Sequence, residues 1–349
     1  MNPKPERFGK GIKFISVMDI LNNAVITNDC IRASVDVSEE ELLSFCVENG
    51  DILFQRSSET LEDVGRANVY MDNKPAVFGG FVIRGKKKAE YDPLFFRYLL
   101  ASPFARKKII PMGAGAQHFN IGQEGLNKVK LHFALLDEQK KIARLLSLLD
   151  ERIATQNKII EDLKKLKSVI SDRLFKNIKG DVITLSEICD IVKGKQINGE
   201  YLTESGEYYV MNGGTEPSGY YGDYNVDANT ISISEGGNSC GYVQFNTSPF
   251  WCGGHCYSIQ NIADHVDNLY LYHYLKSNEE VIMRLRIGSG LPNIQKKDLT
   301  MFKIKVPTFE QQITISTFLS SLERKADIEE RILNVILKQK LYLLQQMFI

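Results

Sequence analysis

The sequence has none of the long apolar runs that would cross a bilayer. Its first residues, MNPKPERFGKGIKF, contain no apolar segment of the kind that forms a signal peptide. Only six cysteines occur in 349 residues, and without a secretory signal they indicate reduced thiols. We therefore expect a cytoplasmic protein that does not enter a membrane.

An excess of one charge sign is also missing, because Lys+Arg and Asp+Glu both total 43. A balanced total neither indicates nor excludes a polyanionic partner, so local patches have to decide. The sequence has no GxxxxGK[ST] phosphate loop, and its five histidines form no clear Ser/His/Asp set. We therefore expect no ATP site of that kind and no cofactor.

What the sequence does contain is a long internal repeat, in a chain long enough for two domains. NIGQEGLNKVKLHF begins at residue 120 and NIQKKDLTMFKIKV begins at residue 293, an offset of 173 residues. KPAVFGGFV at 74–82 likewise matches SPFWCGGHC at 248–256. The matches predict two related halves.

Two details of the repeat carry further predictions. The Glu-Gln pairs at 138–139 and 310–311 lie one residue off the main register, which predicts a slip of one residue there. The Val-Met pairs at 17–18 and 210–211 align, but LSEICDIVKGK at 185–195 has no counterpart in the first half. We expect the equivalent residues to be missing at the N-terminus; the alternative is a naturally shorter first domain.

Cysteine and histidine residues at 252–256, with Cys240 nearby, have the composition of a zinc site. Their spacing is not that of a zinc finger or ribbon. The matching positions of the first half hold the apolar residues Phe78, Phe81 and Val82. We therefore predict no metal site.

Each half ends in an amphipathic stretch with the spacing of a coiled coil. Ten positions from 142 to 174 step by four and three, and the series repeats at 315–347; both are apolar except at Gln156 and Lys167, and at Glu329 and Lys340. A parallel pair would bring the two lysines together, so we predict antiparallel helices with Lys167 near Glu329 and Gln156 near Lys340. The alternative is that all four side chains reach out to water.

These features resemble the specificity subunit of type I restriction–modification systems, over essentially the full chain. The most specific parts are EQKKIARLLSLLDERI, its echo at 310–328, and the doubled architecture. The chain departs from the family where Leu135 and Leu136 replace the usual proline, and in the missing N-terminal stretch. The resemblance implies an α+β fold with a pseudo-two-fold repeat. Target recognition domains at 1–136 and 178–308 would be separated by long helices at 137–177 and 309–349, which form an antiparallel coiled coil.

The resemblance also implies a function. Each recognition domain would read one half of a bipartite target in double-stranded DNA. The helices, on the order of 50 Å long against about 34 Å for one DNA turn, would set the gap and dock two methyltransferase subunits. Restriction (motor) subunits would join for cleavage, and this chain would be non-catalytic. Two alternatives stay open: a coiled-coil adaptor without DNA recognition, and an enzyme that uses the cluster at 252–256.

Candidate DNA contacts lie in polar, glycine-rich or basic loops. Arg, Gln and Glu suit base edges, Ser suits phosphate, and Gly lets the backbone come close to a ligand. The alternative for each is an ordinary solvated loop. In the first half the candidates are Gln55, Arg56, Ser57, Ser58, Arg84, Lys86, Lys87, Gln117 and His118. In the second half they are Asn212, Ser234, Glu235, Asn238, Ser239, Arg284, Arg286 and Ser289, although that half is slightly acidic.

Overall fold

The computed structural model describes residues 1–288, 290 and 292–348 and has two compact units. The first unit is built from residues 1–157 together with those from 331 onwards, and the second from residues 158–330. Both units mix helices with small sheets. Among the described residues, no helix is both long and apolar enough to span a membrane.

The first unit contains a four-stranded sheet in the order β2-β1-β7-β3, a three-stranded sheet β6-β4-β8, and the pair β5-β9. Its elements, in chain order, are β1 (Phe8–Ile15), α1 (Val17–Asn22), β2 (Ser34–Val35), α2 (Glu39–Phe45), β3 (Cys46–Val47), β4 (Ile52–Gln55), β5 (Ser57–Ser58), β6 (Ala67–Val69), β7 (Ala76–Phe78), β8 (Val82–Gly85), α3 (Pro93–Ala101), α4 (Pro103–Ile109), β9 (Phe119–Asn120), α5 (Gln123–Lys128), the first part of α6 (Leu136–Asn177) and the last part of α11 (Phe309–Met347).

The second unit contains a four-stranded sheet β11-β17-β14-β15, a three-stranded sheet β13-β12-β16, and the pair β10-β18. Its elements are the end of α6, then β10 (Asp181–Thr184), α7 (Leu185–Ile188), β11 (Asp190–Lys193), β12 (Tyr208–Met211), β13 (Tyr220–Tyr221), β14 (Thr230–Ser234), β15 (Val243–Asn246), β16 (Trp251–Cys252), β17 (Cys256–Gln260), α8 (Asn268–Ser277), α9 (Glu279–Met283), α10 (Lys296–Thr300), β18 (Lys303–Val306) and the first part of α11 (Phe309–Met347).

The two units repeat the same strand pairings. The antiparallel set β6-β4-β8 corresponds to β15-β14-β17, and the parallel pair β1/β7 corresponds to β12/β16. In the parallel pair, residues 14–15 take the places of residues 210–211. The predicted match of Val17 and Met18 to this pair is therefore wrong. These two residues begin helix α1, so the similar letters belong to a different element.

A buried glutamine fixes the start of each long helix. In the first unit, Gln139 accepts from the backbone N–H of Asp92 at 3.0 Å and donates to the carbonyl of Ala134 at 2.8 Å. In the second unit, Gln312 accepts from the N–H of Asp267 at 2.9 Å and donates to the carbonyl of Pro307 at 2.9 Å.

Each aspartate in turn caps the helix that follows it. Asp92 accepts from the N–H of Phe95 at 2.8 Å, and Asp267 accepts from the N–H of Tyr270 at 2.7 Å. The equivalent of Gln139 is therefore Gln312, the residue that follows the Glu-Gln pair at 310–311. The predicted one-residue slip is wrong, because the 173-residue register continues through this point.

The two long helices pack antiparallel, as predicted. Within the second unit, Lys164 contacts Glu330 at 2.6 Å while Lys167, one turn later, contacts Glu323 at 2.7 Å. In the first unit, residues of both helices share one apolar cluster: Ile142, Ala143, Leu146 and Leu149 with Leu343, Leu344 and Met347.

The two lysines in the apolar stripes of the long helices bind other side chains than those predicted. Lys167 binds Glu323, whereas Glu329 was predicted, and Lys340 binds Asp150, whereas Gln156 was predicted. The two observed pairs are equivalent in the repeat. An apolar stripe that recurs every three to four residues fixes which helix face is buried, but the same face is presented again after each turn. The stripe therefore leaves the axial offset open.

Candidate DNA interface

Three segments of the first unit meet around the backbone of Arg56. Its N–H donates to the carbonyl of Phe81 at 2.8 Å, just after the Gly79-Gly80 turn. Its carbonyl accepts from the N–H of Ile121 at 2.9 Å, at the end of the loop 113–120. Arg56 follows the last residue of β4, so the site lies where the strand ends.

The second unit repeats this arrangement around Glu235. The N–H of Glu235 donates to the carbonyl of His255 at 2.9 Å, and its carbonyl accepts from the N–H of Ile294 at 2.8 Å. Arg56 and Glu235 therefore occupy the same place in the two units, with opposite charge. The sequence comparison missed this equivalence because the local offset is 179 residues, whereas the stretches that were aligned have offsets of 173 and 174.

The third segment of each site is a short loop closed by a pair of backbone hydrogen bonds. Ala114 and Asn120 exchange bonds at 2.9 and 3.0 Å in the first unit, and Ile287 and Asn293 do so at 2.8 and 3.0 Å in the second. At Gly115, where φ is +146°, a Cβ would lie 2.0 Å from the carbonyl oxygen of His118. Glycine is therefore required for this close approach.

Around Arg56, the predicted contact residues differ in how much of each side chain is presented to solvent. Arg56 is exposed, and so are Gln117 and His118 in the adjoining loop. Ser57 donates its hydroxyl hydrogen to the side chain of Asn120, and the Ser58 hydroxyl accepts from the N–H of Thr60 at 3.2 Å. The exposed members of this group offer donors and acceptors to a ligand that covers the site.

Gln55 is turned inward. Its side chain is only 5% exposed, and its amide nitrogen donates to the carbonyl of Ser57 at 2.8 Å. Its amide oxygen is buried without a partner among the described residues. Since Leu53 is also buried, the alternation of a strand places Gln55 on the inner face. This arrangement does not fit the predicted role of Gln55 in base reading.

The basic candidates of β8 lie towards the other end of that strand. In the β4–β8 pair, Arg84 is opposite Leu53, whereas Val82 is opposite Gln55. The Arg84 guanidinium donates to the carbonyl of Cys46. Lys86 pairs with Glu48 at 3.5 Å and Lys87 with Glu90 at 3.1 Å. These residues are not brought together with Arg56.

In the second unit, the carboxylate of Glu235 is held by two donors. Lys193 donates from Nζ at 2.7 Å and the Tyr257 hydroxyl donates at 2.9 Å, both to Oε1. Burial, and then the hydrogen bond to Glu235, raise the pKa of the Tyr257 hydroxyl, so it stays protonated. Glu235 itself is 9% exposed. Sequence reasoning missed Lys193, although it lies in the stretch that has no counterpart in the first half.

The other candidates of this unit differ in how much of each residue is exposed. The Ser234 hydroxyl is buried and donates to the carbonyl of Gly213 at 2.6 Å, which leaves it little access to DNA. The Asn212 side chain accepts from the N–H of His255 at 3.1 Å. The remaining four are as follows: Asn238, Arg284 and Arg286 are exposed, and Ser239 is half-buried. Ser289 lies outside the described residues.

The cysteines of the stretch 252–256 belong to the hydrophobic core. Cys252 and Cys256 are buried, free thiols that belong to one apolar cluster with Met211, Val226 and Phe250. Hydrogen bonding to Cys256, and burial, raise the pKa of the Cys252 thiol, so the metal-binding thiolate is disfavoured. Among the described residues, no group of three or more His, Cys, Asp or Glu could hold a metal ion.

One family model matches this chain in two places. The model described as the type I restriction modification DNA specificity domain matches residues 2–165 and again residues 177–338. The two matches cover both halves of the internal repeat.

Individual relatives give the same picture. A protein of Mycoplasma genitalium, named as a type I specificity subunit, is 33% identical over 165 residues, which are 45% of this chain and 43% of that protein. The specificity subunit of the type I restriction enzyme MjaX of Methanocaldococcus jannaschii is 25% identical over 333 residues, covering 85% of this chain and 77% of that protein. The chain spans about two fifths of the length of the two Mycoplasma relatives that it matches.

A solved structure shares the fold. The crystal structure of a type I restriction–modification system S subunit from M. genitalium matches with a TM-score of 0.65 and 19% sequence identity. The match covers 98% of this chain and 93% of that one.

Proposed function

We propose that this chain, which belongs to the family of type I restriction modification DNA specificity domains, is the DNA-reading subunit of a type I restriction–modification complex. One observation carries the proposal: two units of one chain present the same three-segment surface, with Arg56 and Glu235 at the same backbone position. An adaptor without DNA recognition would have no need for matched sites of opposite charge.

The two side chains suit different bases. An arginine that reaches into the major groove donates to O6 and N7 of guanine, whereas a carboxylate accepts from the N4 amine of cytosine. Arg56 is exposed and has no carboxylate within 4 Å among the described residues; its guanidinium makes one long hydrogen bond, of 3.5 Å, to the carbonyl of Gly80, and its other donors can reach a ligand. The two described donors to the carboxylate of Glu235 both reach Oε1, which leaves Oε2 for an incoming amine.

The proposal assigns a separate role to each part of the chain. Residues 1–136 and 178–308 are the recognition domains for the two halves of a bipartite target, and the helices at 137–177 and 309–349 dock two methyltransferase subunits. Those subunits methylate the DNA, and motor subunits join them for cleavage in the cytoplasm. This chain supplies sequence recognition and performs no chemical step.

Co-expression with the methyltransferase subunits, followed by genome-wide mapping of methylated adenines, tests the proposal. The expected result is a split motif with a fixed gap. A continuous motif, or no motif although all partners are present in the lysate, would overturn it.

Single substitutions then assign the halves. Arg56→Ala should relax one half of the motif, and Glu235→Gln should relax the other, each by about 1–3 kcal/mol of base discrimination. Lys107→Ala and Glu204→Gln, both exposed and away from the sites, are the matched controls. If Arg56→Ala changes both halves, or neither, the assignment of Arg56 is wrong.

A further inference from the structure

A Gly-Gly turn followed by a residue with a planar ring recurs at the same place in both units. The first unit has Gly79-Gly80-Phe81 directly before β8, and the second has Gly253-Gly254-His255 directly before β17. The N–H of Val82 donates to the carbonyl of Gly79 at 3.0 Å. In the same way, the N–H of Cys256 donates to the carbonyl of Gly253 at 3.1 Å. The sequence match around these glycines therefore reflects a shared turn.

The backbone on the other side of each turn is also fixed. The N–H of Gly79 donates to the carbonyl of Ile15 at the end of β1, at 3.2 Å. The N–H of Gly253 donates to the carbonyl of Met211 at the end of β12, at 2.8 Å. A side chain on such a turn is already positioned before a ligand arrives, which lowers the entropy cost of binding.

The residue with the ring is bonded directly to the proposed reading residue. The carbonyl of Phe81 accepts from the N–H of Arg56, and the carbonyl of His255 accepts from the N–H of Glu235. A Cβ on Gly236, the residue after Glu235, would lie 3.9 Å from Nδ1 of His255. Both rings are therefore carried by backbone that touches the reading position.

Both ring residues are presented to solvent. Phe81 is 65% exposed, although Val82 beside it is only 4% exposed. His255 is also exposed, whereas Cys256 beside it is 2% exposed. A single exposed apolar side chain is ordinary on a protein surface. The recurrence of an exposed ring next to both reading residues is what indicates a ligand.

We infer that Phe81 and His255 form a second base-contact position in each unit, next to Arg56 and Glu235. In the major groove, a phenylalanine ring can contact the C5-methyl group of thymine, and an imidazole N–H can donate to N7 of a purine. Phe81 is assigned the thymine and His255 the purine, each in the base pair adjacent to the one that Arg56 or Glu235 contacts. The inference rests on the proposed function and adds these contacts to the same two sites.

Deoxyuridine, which lacks only the C5-methyl group of thymidine, tests the first unit. The complex with the methyltransferase subunits is titrated with labelled duplexes that carry the mapped motif. Each thymine next to the Arg56-dependent base pair is replaced in turn. We expect the wild type to bind one of these duplexes about fourfold more weakly, the value for one buried methyl group. Phe81→Ala should not distinguish the two duplexes. Leu43→Ala, at an exposed apolar position of the same unit, should keep the wild-type difference.

A 7-deazapurine, in which carbon replaces N7, tests the second unit in the same complex. Placed next to the Glu235-dependent base pair, it should weaken binding by the wild type about fivefold, because one hydrogen bond is lost. His255→Ala should bind the deazapurine duplex and the normal duplex equally. His265→Ala, exposed in the same unit, is the matched control and should behave as the wild type does.

Three results separate this inference from the proposed function. The inference is wrong if Phe81→Ala or His255→Ala distinguishes the paired duplexes as the wild type does. It is also wrong if the mapped motif has no A·T pair next to the Arg56-dependent base pair. In either case the proposed function stands as long as Arg56→Ala and Glu235→Gln each relax one half of the motif. If neither of those substitutions relaxes the motif, the proposed function is wrong and this inference with it.

Discussion

The two units share a backbone arrangement and the contacts that stabilise it, but they differ in the side chain at the proposed DNA-reading position. The glutamine at the start of each long helix, the aspartate cap and the lysine–carboxylate pair between the helices recur with the same contacts. The reading position instead holds Arg56 in one unit and Glu235 in the other. The contacts that stabilise the shared framework are repeated, whereas the side chain at this one position differs in charge and in burial, since Arg56 is exposed and Glu235 is buried.

The buried glutamines should give the largest effect on stability. Gln312, which is 0% exposed, has a third bond to the carbonyl of His265 at 3.0 Å, whereas Gln139 has the two shared bonds. Because each buried group left unpaired costs about 1–3 kcal/mol, Gln312→Ala should destabilise its unit by about 4 kcal/mol and Gln139→Ala by about 3 kcal/mol.

Amide exchange measured in each unit separates the two effects. Gln311→Ala and Glu138→Ala, at exposed neighbouring positions, are the controls. If a buried glutamine and its exposed neighbour lost equal stability on substitution by alanine, the proposed structural role of the buried glutamines would be wrong.

His273 should give the second unit a pH dependence that the first unit lacks. Burial, and then the charge of Lys167, lower the pKa of His273 to about 4. The unfolded chain binds this proton near pH 6.5 and the folded chain only near pH 4, so stability falls as the pH falls through that window. The expected loss is about 2–3 kcal/mol, because the side chain is nearly fully buried.

In the first unit the same helix position is occupied by Tyr98, which donates its hydroxyl hydrogen to Asp150 at 2.7 Å. Burial, and then Asp150, raise the pKa of Tyr98, so it does not titrate in this window. Urea denaturation of wild type and His273→Gln between pH 4 and 7 checks the prediction. A variant with the same slope as wild type would contradict it.

The lysine–carboxylate pairs between the long helices should give the smallest effect on stability. Burial is the largest influence on the pKa of Glu323 and would raise it, but the hydrogen bond and the charge of Lys167, with smaller contributions from His273 and Tyr272, together keep that pKa low. Lys167→Met should therefore cost about 2 kcal/mol. Lys340→Met should cost about 1 kcal/mol, because Arg97 stays 3.5 Å from Asp150.

A charge exchange sharpens this test. Lys167→Glu combined with Glu323→Lys should recover part of what each single change loses in unfolding experiments. Simple additivity of the two changes would rule out a direct pairing.

Sequence alone predicted the larger features of the molecule. The two related halves follow from the repeated residue matches, the long helices follow from the apolar stripe and their antiparallel packing from its lysine positions, and the α+β class is what the family resemblance implies. The alignment by letters failed where similar dipeptides belong to different elements, as at Val17 and Met18. It also could not find the match of Arg56 to Glu235, because the loop lengths before them differ.

The orientation and the partners of individual side chains were also predicted incompletely. Gln55 has the chemistry of a base reader, but it follows Leu53 by two residues on a strand and so points into the core. That alternation was visible in the sequence. The partners of Lys167 and Lys340 were not, since they depend on an axial offset that the apolar stripe does not encode.

The first unit contains both the start of the chain and the residues from 331 onwards, whereas the second is built from 158–330 alone. During translation, the second unit therefore has all its residues outside the ribosome before the first unit does. The half that is synthesised first is completed last, so a stop codon introduced directly after residue 330 would remove part of the first unit and leave every residue of the second.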